Sequence, residues 1–130
     1  MRILSAFAAL FTLAIGCSGV DSPANVLPCQ ALVTVSVGSG TAPTFSWTPQ
    51  CMAVEVIVSS TTGFVTYWLV TGAANSNSLQ PPVRYGHPPN PASLGTPNLV
   101  AGNPYSVHVL RATGDSAAPF EAIGSADFVP

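Results

Sequence analysis

The sequence predicts an all-β domain: a seven-stranded antiparallel β-sandwich standing behind an N-terminal signal helix. Three observations predict it. Apolar residues recur at every second position in run after run, as in Val33, Val35 and Val37 or Tyr105, Val107 and Val109, which is the period of a half-buried strand. Clusters of Gly, Pro, Ser and Asn separate these runs at short intervals, and no segment between them carries a convincing helical apolar stripe. Seven such strands in one open sheet would leave an apolar face bare, so they must close as two layers.

The chain opens on Met1-Arg2, an apolar run from Ile3 to Ile15, and Gly16-Cys17. One positive residue, about 13 apolar positions and small residues at the end make residues 1–16 a secretory signal. The run falls short of the about 20 residues a bilayer span needs. Leu13-Ala14-Ile15-Gly16-Cys17 resembles a bacterial lipobox, with Ala14 where that motif most often has Leu. The resemblance implies that Cys17 becomes the lipidated first residue and holds the exported protein on a membrane. Ser18 in place of Asp implies the outer membrane, leaving the domain in the periplasm or at the cell surface. Ordinary cleavage after Gly16 is the alternative, since Ala14-x-Gly16 also suits a general signal peptidase. Residues 17–28 are small and polar, include Pro23 and Pro28, and read as a tether.

The domain proper spans 29–130. Strands are expected over 31–37, 44–48 with Phe45 and Trp47 inward, 51–58 with Val54, Val56 and Val58 inward, and 64–70. Residues 79–85 form a weaker strand, because Pro81 and Pro82 confine it to an edge or bulge. Prolines at 88, 89, 91 and 97 make 86–98 a segment without regular structure. Alternation returns over 105–111 and over 120–129, where Ala122, Gly124, Ala126 and Phe128 share one face and Glu121 and Asp127 the other.

Charge is scarce at 6% of residues, and lysine is absent. Beyond the leader, Arg84 and Arg111 stand against Asp21, Glu55, Asp115, Glu121 and Asp127. Two cations cannot displace the counterions that phosphate binding requires, which excludes a nucleic-acid partner. Three cysteines leave one unpaired. If Cys17 carries lipid, Cys29 and Cys51 remain as a pair in an oxidising compartment. Closing that loop of about 22 residues contributes roughly 3 kcal/mol in the chain-entropy treatment.

Phe45-Ser-Trp47-Thr-Pro49 resembles the second strand of fibronectin type III and related immunoglobulin-like domains, whose tryptophan anchors the core. Leu99-Val-Ala-Gly102-Asn-Pro-Tyr105 resembles the corner before their sixth strand, and Tyr105-Ser-Val107-His-Val109 that strand itself. The resemblance runs over about 31–130 and implies structural roles for Trp47, Leu99, Gly102 and Tyr105. The tyrosine ring would pack inward while its hydroxyl bonds back to upstream backbone. The Pro-rich stretch over 86–98 is longer than the family's connection there, and the cysteine pair is not a family feature. The family binds or spaces and rarely catalyses, so it implies a module and no enzyme.

The residues themselves agree with that expectation. His87 and His108 stand alone, without the convergent ligands a metal needs. There is no nucleophile elbow and no glycine-rich phosphate cradle leading into a helix, so neither cofactor nor metal is expected. Aromatic recognition remains open. Tyr67 and Trp68 are neighbours on one strand, so one faces the core and the other the surface or the underside of the Pro-rich loop. Arg84, Tyr85 and His87 could form a small polar-aromatic edge. The expected function is a non-enzymatic, lipid-anchored envelope module for protein interaction or envelope structure. The alternative is a carbohydrate-binding module using Tyr67, Trp68 or Tyr85.

Overall fold

A computed structural model describes residues 26–89, 93–94 and 97–130. The expected signal segment, the expected lipidation site Cys17 and most of the expected tether lie outside the described residues. Among the described residues no helix is long and apolar enough to cross a membrane.

Among the described residues eight strands form two antiparallel sheets. The first sheet holds β1 (Thr34–Val37), β2 (Thr44–Thr48) and β5 (Val83–Arg84) in the order β1-β2-β5. The second holds β3 (Glu55–Ser60), β4 (Thr66–Thr71), β6 (Ser93–Leu94), β7 (Tyr105–Ala112) and β8 (Phe120–Phe128) in the order β6-β4-β3-β7-β8. A short 3-10 turn, Ala73–Asn75, is the one helical element among the described residues. The two sheets close over one core, as the alternation requires. Phe45 and Trp47 from β2 meet Val56 and Val58 from β3, Trp68 and Val70 from β4, and Tyr105, Val107 and Val109 from β7.

Four expected strands begin later than their apolar runs: the run over 64–70 enters β4 only at Thr66, past the turn holding Phe64, and the other three each have a backbone reason. The run over 51–58 enters β3 only at Glu55, because Met52 and Ala53 are committed to bridges with Pro28 and Leu79. The run over 79–85 is cut to Val83–Arg84, leaving Leu79 as an isolated bridge beyond Pro81 and Pro82, which have no N–H to give a ladder. The run over 31–37 becomes β1 at Thr34, since the Val33 N–H donates across to the Ile123 carbonyl at 2.9 Å. The Pro-rich segment, expected to lack regular structure, contributes the two residues of β6 to the edge of β4.

Bulges account for the side chains that alternation misplaced. In β8 the register steps between Val109 and Leu110, so Gly124 faces Val109, Ala122 faces Leu110, and Ile123 is the extra residue. Ile123 is buried and Ala122 is exposed, which reverses the expected placing of Ala122. In β4 a step after Val58 leaves Tyr67 as the extra residue between Thr66 and Trp68.

Gly124 is where β1 crosses β8. A Cβ there would lie 2.7 Å from both Val33 Cγ2 and the Val33 carbonyl oxygen, and 2.9 Å from Val35 Cγ2. Only a residue without a side chain lets the two strands approach this closely.

The sandwich has two poles. At one, residues 27–30 meet Met52, and the Cys29–Cys51 disulfide fixes them with Cα atoms 4.8 Å apart. At the other, the β3–β4 hairpin sits beside the corner over 99–104 that leads into β7, joined through the Thr61 N–H to the Pro104 carbonyl.

Candidate functional site

Of the five residues expected to offer a ligand surface, the structure buries two. Trp68 has no solvent exposure and lies between Phe45 and Tyr85, with ring centroids 6.4 and 5.2 Å away. Its indole nitrogen has no hydrogen-bond partner among the described residues. Tyr85 is 4% exposed, and its hydroxyl donates to the Pro97 carbonyl at 2.7 Å. Burial, with smaller contributions from Tyr105 and Tyr67, pushes its phenol up to about 12. Neither ring is therefore a stacking platform. The Tyr85–Pro97 bond instead ties the end of the Pro-rich segment to the core, so Tyr85 acts as a structural post.

Arg84 and His87 are exposed, but they belong to a tight turn. The His87 N–H donates to the Arg84 carbonyl at 3.0 Å, and Nδ1 of its ring lies 3.1 Å from the Tyr85 carbonyl, which fixes Nδ1–H as the donor. Arg84 and His87 pair as an isolated bridge across this turn. His108 pairs with Ser106, Nε2 to Oγ at 3.0 Å. Among the described residues no three His, Cys, Asp or Glu side chains gather as metal ligands.

Two polar features were missed by sequence reasoning. Glu55 lies on the side of β3 away from the core, where solvent was expected, yet it is buried. Desolvation raises its pKa, opposed by a hydrogen bond from the Thr71 hydroxyl at 3.4 Å. A central strand flanked by β4 and β7 shields even its outward side chains. Arg111 pairs with Glu121 at 2.7 Å and also donates to the Gln30 carbonyl at 2.5 Å, clamping the N-terminal segment. No sequence signal links residues 81 positions apart.

The corner at the opposite pole has the geometry its motif implied. The Tyr105 ring is buried and its hydroxyl accepts from the Val100 N–H at 3.0 Å. Leu99 is buried beneath, and Gly102 has φ +86°, a conformation with little cost only for glycine. Trp47 is likewise core, its Nε1–H donating to the Cys51 carbonyl at 2.8 Å.

The one expected ligand residue that remains partly open is Tyr67. Its ring meets Tyr105 edge-on, with centroids 5.1 Å apart at 81°, a favourable aromatic geometry. It lines a recess of about 230 Å³ with Ser60, Thr62, Val65, Asn103, Pro104 and Tyr105. Beside this recess the hairpin presents Phe64, 86% exposed, and Val65, 58% exposed. Phe64 has φ +52°, following Gly63 at +85°. A bulky residue in the left-handed region is strained, and such strain concentrates at functional positions. Val100 on the neighbouring corner is 54% exposed. Residues 60–67 and 99–105 include no Asp, Glu, Lys, Arg or His. The exposed side chains of the hairpin and the corner, with the mixed polar and apolar recess beside them, are the candidate contact surface.

Comparison with models of protein families, with curated proteins and with solved structures gives no match.

Proposed function

We propose that the chain is a non-enzymatic interaction module of the cell envelope, a fibronectin type III-like domain held on a membrane by lipid at Cys17, and that the pole carrying the hairpin and the corner makes the contact. One observation carries the reading: large apolar side chains stand exposed at a strained hairpin tip, on segments 60–67 and 99–105 that hold no Asp, Glu, Lys, Arg or His. The fibronectin-like assignment is supported by the corner. Setting aside the two-residue β6, β7 is the sixth strand, and it begins at a tyrosine whose hydroxyl reaches back five residues. The sugar-binding alternative loses Trp68 and Tyr85 to the core and keeps only Tyr67.

Two measurements test this. Cells fed an alkyne fatty acid should label the protein, and Cys17→Ser should lose both the label and detergent-phase partitioning. An unlabelled wild-type chain would remove the anchor. A photo-crosslinker placed at Val100 should join the full chain to protein, whereas one at Phe120, on the other pole, should not. Equal or absent crosslinking at the two positions would remove the contact pole.

A further inference from the structure

The chain enters the sandwich at the disulfide pole, so the two poles differ in how far they stand from Cys17. We infer that the disulfide pole rests on the same membrane that holds Cys17, with Leu27 and Phe120 entering the head-group region, and that the hairpin and the corner point away from that membrane. The proposal rests on lipid at Cys17 and adds the orientation of the domain, which the anchor alone leaves open.

The length of the tether sets this orientation. The sandwich takes hold of the chain at Leu27, whose carbonyl accepts from the Met52 N–H at 2.8 Å. Leu27 lies ten residues after Cys17, and ten residues extend at most about 36 Å. Phe120 faces Ala112 and Phe128 faces Tyr105, so β8 runs from one pole to the other. Its nine residues span roughly 30 Å at the rise of a strand. Turning the hairpin pole to the membrane would therefore take up nearly all of the tether at full stretch. The disulfide pole needs no such reach, and the anchor holds it at high effective concentration beside the lipid. The clamp keeps the tether this short. Without the disulfide, the Met52 bonds and the hold of Arg111 on the Gln30 carbonyl, the first attachment would be Val33 to Ile123, six residues further on.

The surface at this pole suits a neutral head-group layer. Leu27 is 70% exposed and Phe120 39%, and Ala117, Ala118 and Pro119, which lead into Phe120, are exposed with it. Arg111 and Glu121 pair with each other at 2.7 Å, and the Asp115 carboxylate accepts from the Ala117 N–H at 2.8 Å. No cationic excess draws this pole to anionic lipid, so the contact is apolar. Two side chains make a weak seat for a free domain, and the covalent anchor makes it persistent.

The test uses the full chain, processed in cells, purified with its lipid and placed in phosphatidylcholine vesicles whose head groups carry a spin-label quencher. A fluorescent amino acid replaces Ala118 in one preparation and Thr62, on the hairpin, in another. Emission from position 118 should be quenched and emission from position 62 should not. Leu27→Ser combined with Phe120→Ser should lower the ratio of seated to free domain at position 118 by about tenfold or more, the loss expected for two apolar side chains. Phe64→Ser should leave it unchanged. The Cys29–Cys51 disulfide, checked by mass, reports that each variant folds. Flotation with the vesicles reads the anchor separately, and Cys17→Ser should abolish it. A chain that floats with neither probe quenched, with both quenched equally, or with quenching at 118 that survives the double substitution would overturn the seat and leave the anchor standing. A wild-type chain that does not float would remove the anchor and the seat with it.

Discussion

The two poles of the sandwich are secured by different chemistry. The disulfide pole is tied by a covalent bridge between Cys29 and Cys51 and by Arg111, which reaches Glu121 and the Gln30 carbonyl. The corner pole is tied by the buried Tyr105 hydroxyl, the hydroxyls of Ser60 and Thr61 and a few backbone bonds, with no charged residue in the hairpin or the corner. The first pole must hold a segment that would otherwise fray, because 27–30 bury little surface of their own apart from Cys29. The second must hold its loops while leaving Phe64, Val65 and Val100 exposed. Bonds that lie inside the fold do that without spending the surface.

The largest break in this contrast comes from the disulfide. Replacing Cys29 and Cys51 together by Ala should lower stability by about 3 kcal/mol, the loop-closure value for this spacing, read from urea unfolding. Amide exchange should rise in residues 27–33 and stay unchanged at the hairpin and corner. A uniform rise would mean that the two poles are not secured separately. Next is Tyr105→Phe. It keeps the ring and strands the Val100 N–H, which should cost about 1–3 kcal/mol for an unsatisfied group. Here exchange should rise at Val100 and Asn103 and not at Cys29.

The same two poles show what was legible in the sequence. The corner could be read because its parts are local: Leu99, Gly102 and Tyr105 lie within seven positions, and each has a conformational reason. The aromatic core of β2 could be read for the same reason, since Phe45 and Trp47 alternate. The clamp could not, because Arg111 meets Gln30 only after the chain has closed. Bulges were equally hidden. One extra residue in β8 turned Ala122 outward and Ile123 inward, and one in β4 placed Tyr67 beside Tyr105. Period-two reasoning has no term for an inserted residue. The candidate contact surface is half visible. The sequence points to Tyr67, but its pattern places Phe64 in a strand and carries no sign of the exposed left-handed turn.

A smaller effect sharpens the contrast from the middle of the molecule. Glu55, on the central strand, has a raised pKa because burial disfavours its charge. A carboxyl that binds its proton more tightly when folded contributes stability below its ordinary pKa of 4.5 and loses it as pH rises through the folded value. At neutral pH the charged form therefore weighs against folding. Glu55→Gln should raise the melting temperature at pH 7 by roughly a few degrees, and the gain should vanish by about pH 4, where wild type is protonated too. A gain that persisted in acid would come from packing instead of charge.

The smallest effect separates the two jobs of Arg111. Its bond to Glu121 is a partly exposed ion pair, with side chains 25% and 51% exposed, and such pairs contribute about 0.2–1 kcal/mol. Its bond to the Gln30 carbonyl involves no second charge. A double-mutant cycle of Arg111→Ala and Glu121→Ala isolates the pair. The coupling should fall within that range and shrink towards zero in about 1 M salt, where screening acts over roughly 3 Å. Arg111→Ala alone should cost more than Glu121→Ala, and the excess should survive salt, because a hydrogen bond to backbone is not a pairing of ions. Equal costs for the two single variants would show that the arginine holds only its carboxylate. The disulfide and the backbone bonds of Leu27 and Cys29 with Met52 would then be what fastens the N-terminal segment to the sandwich.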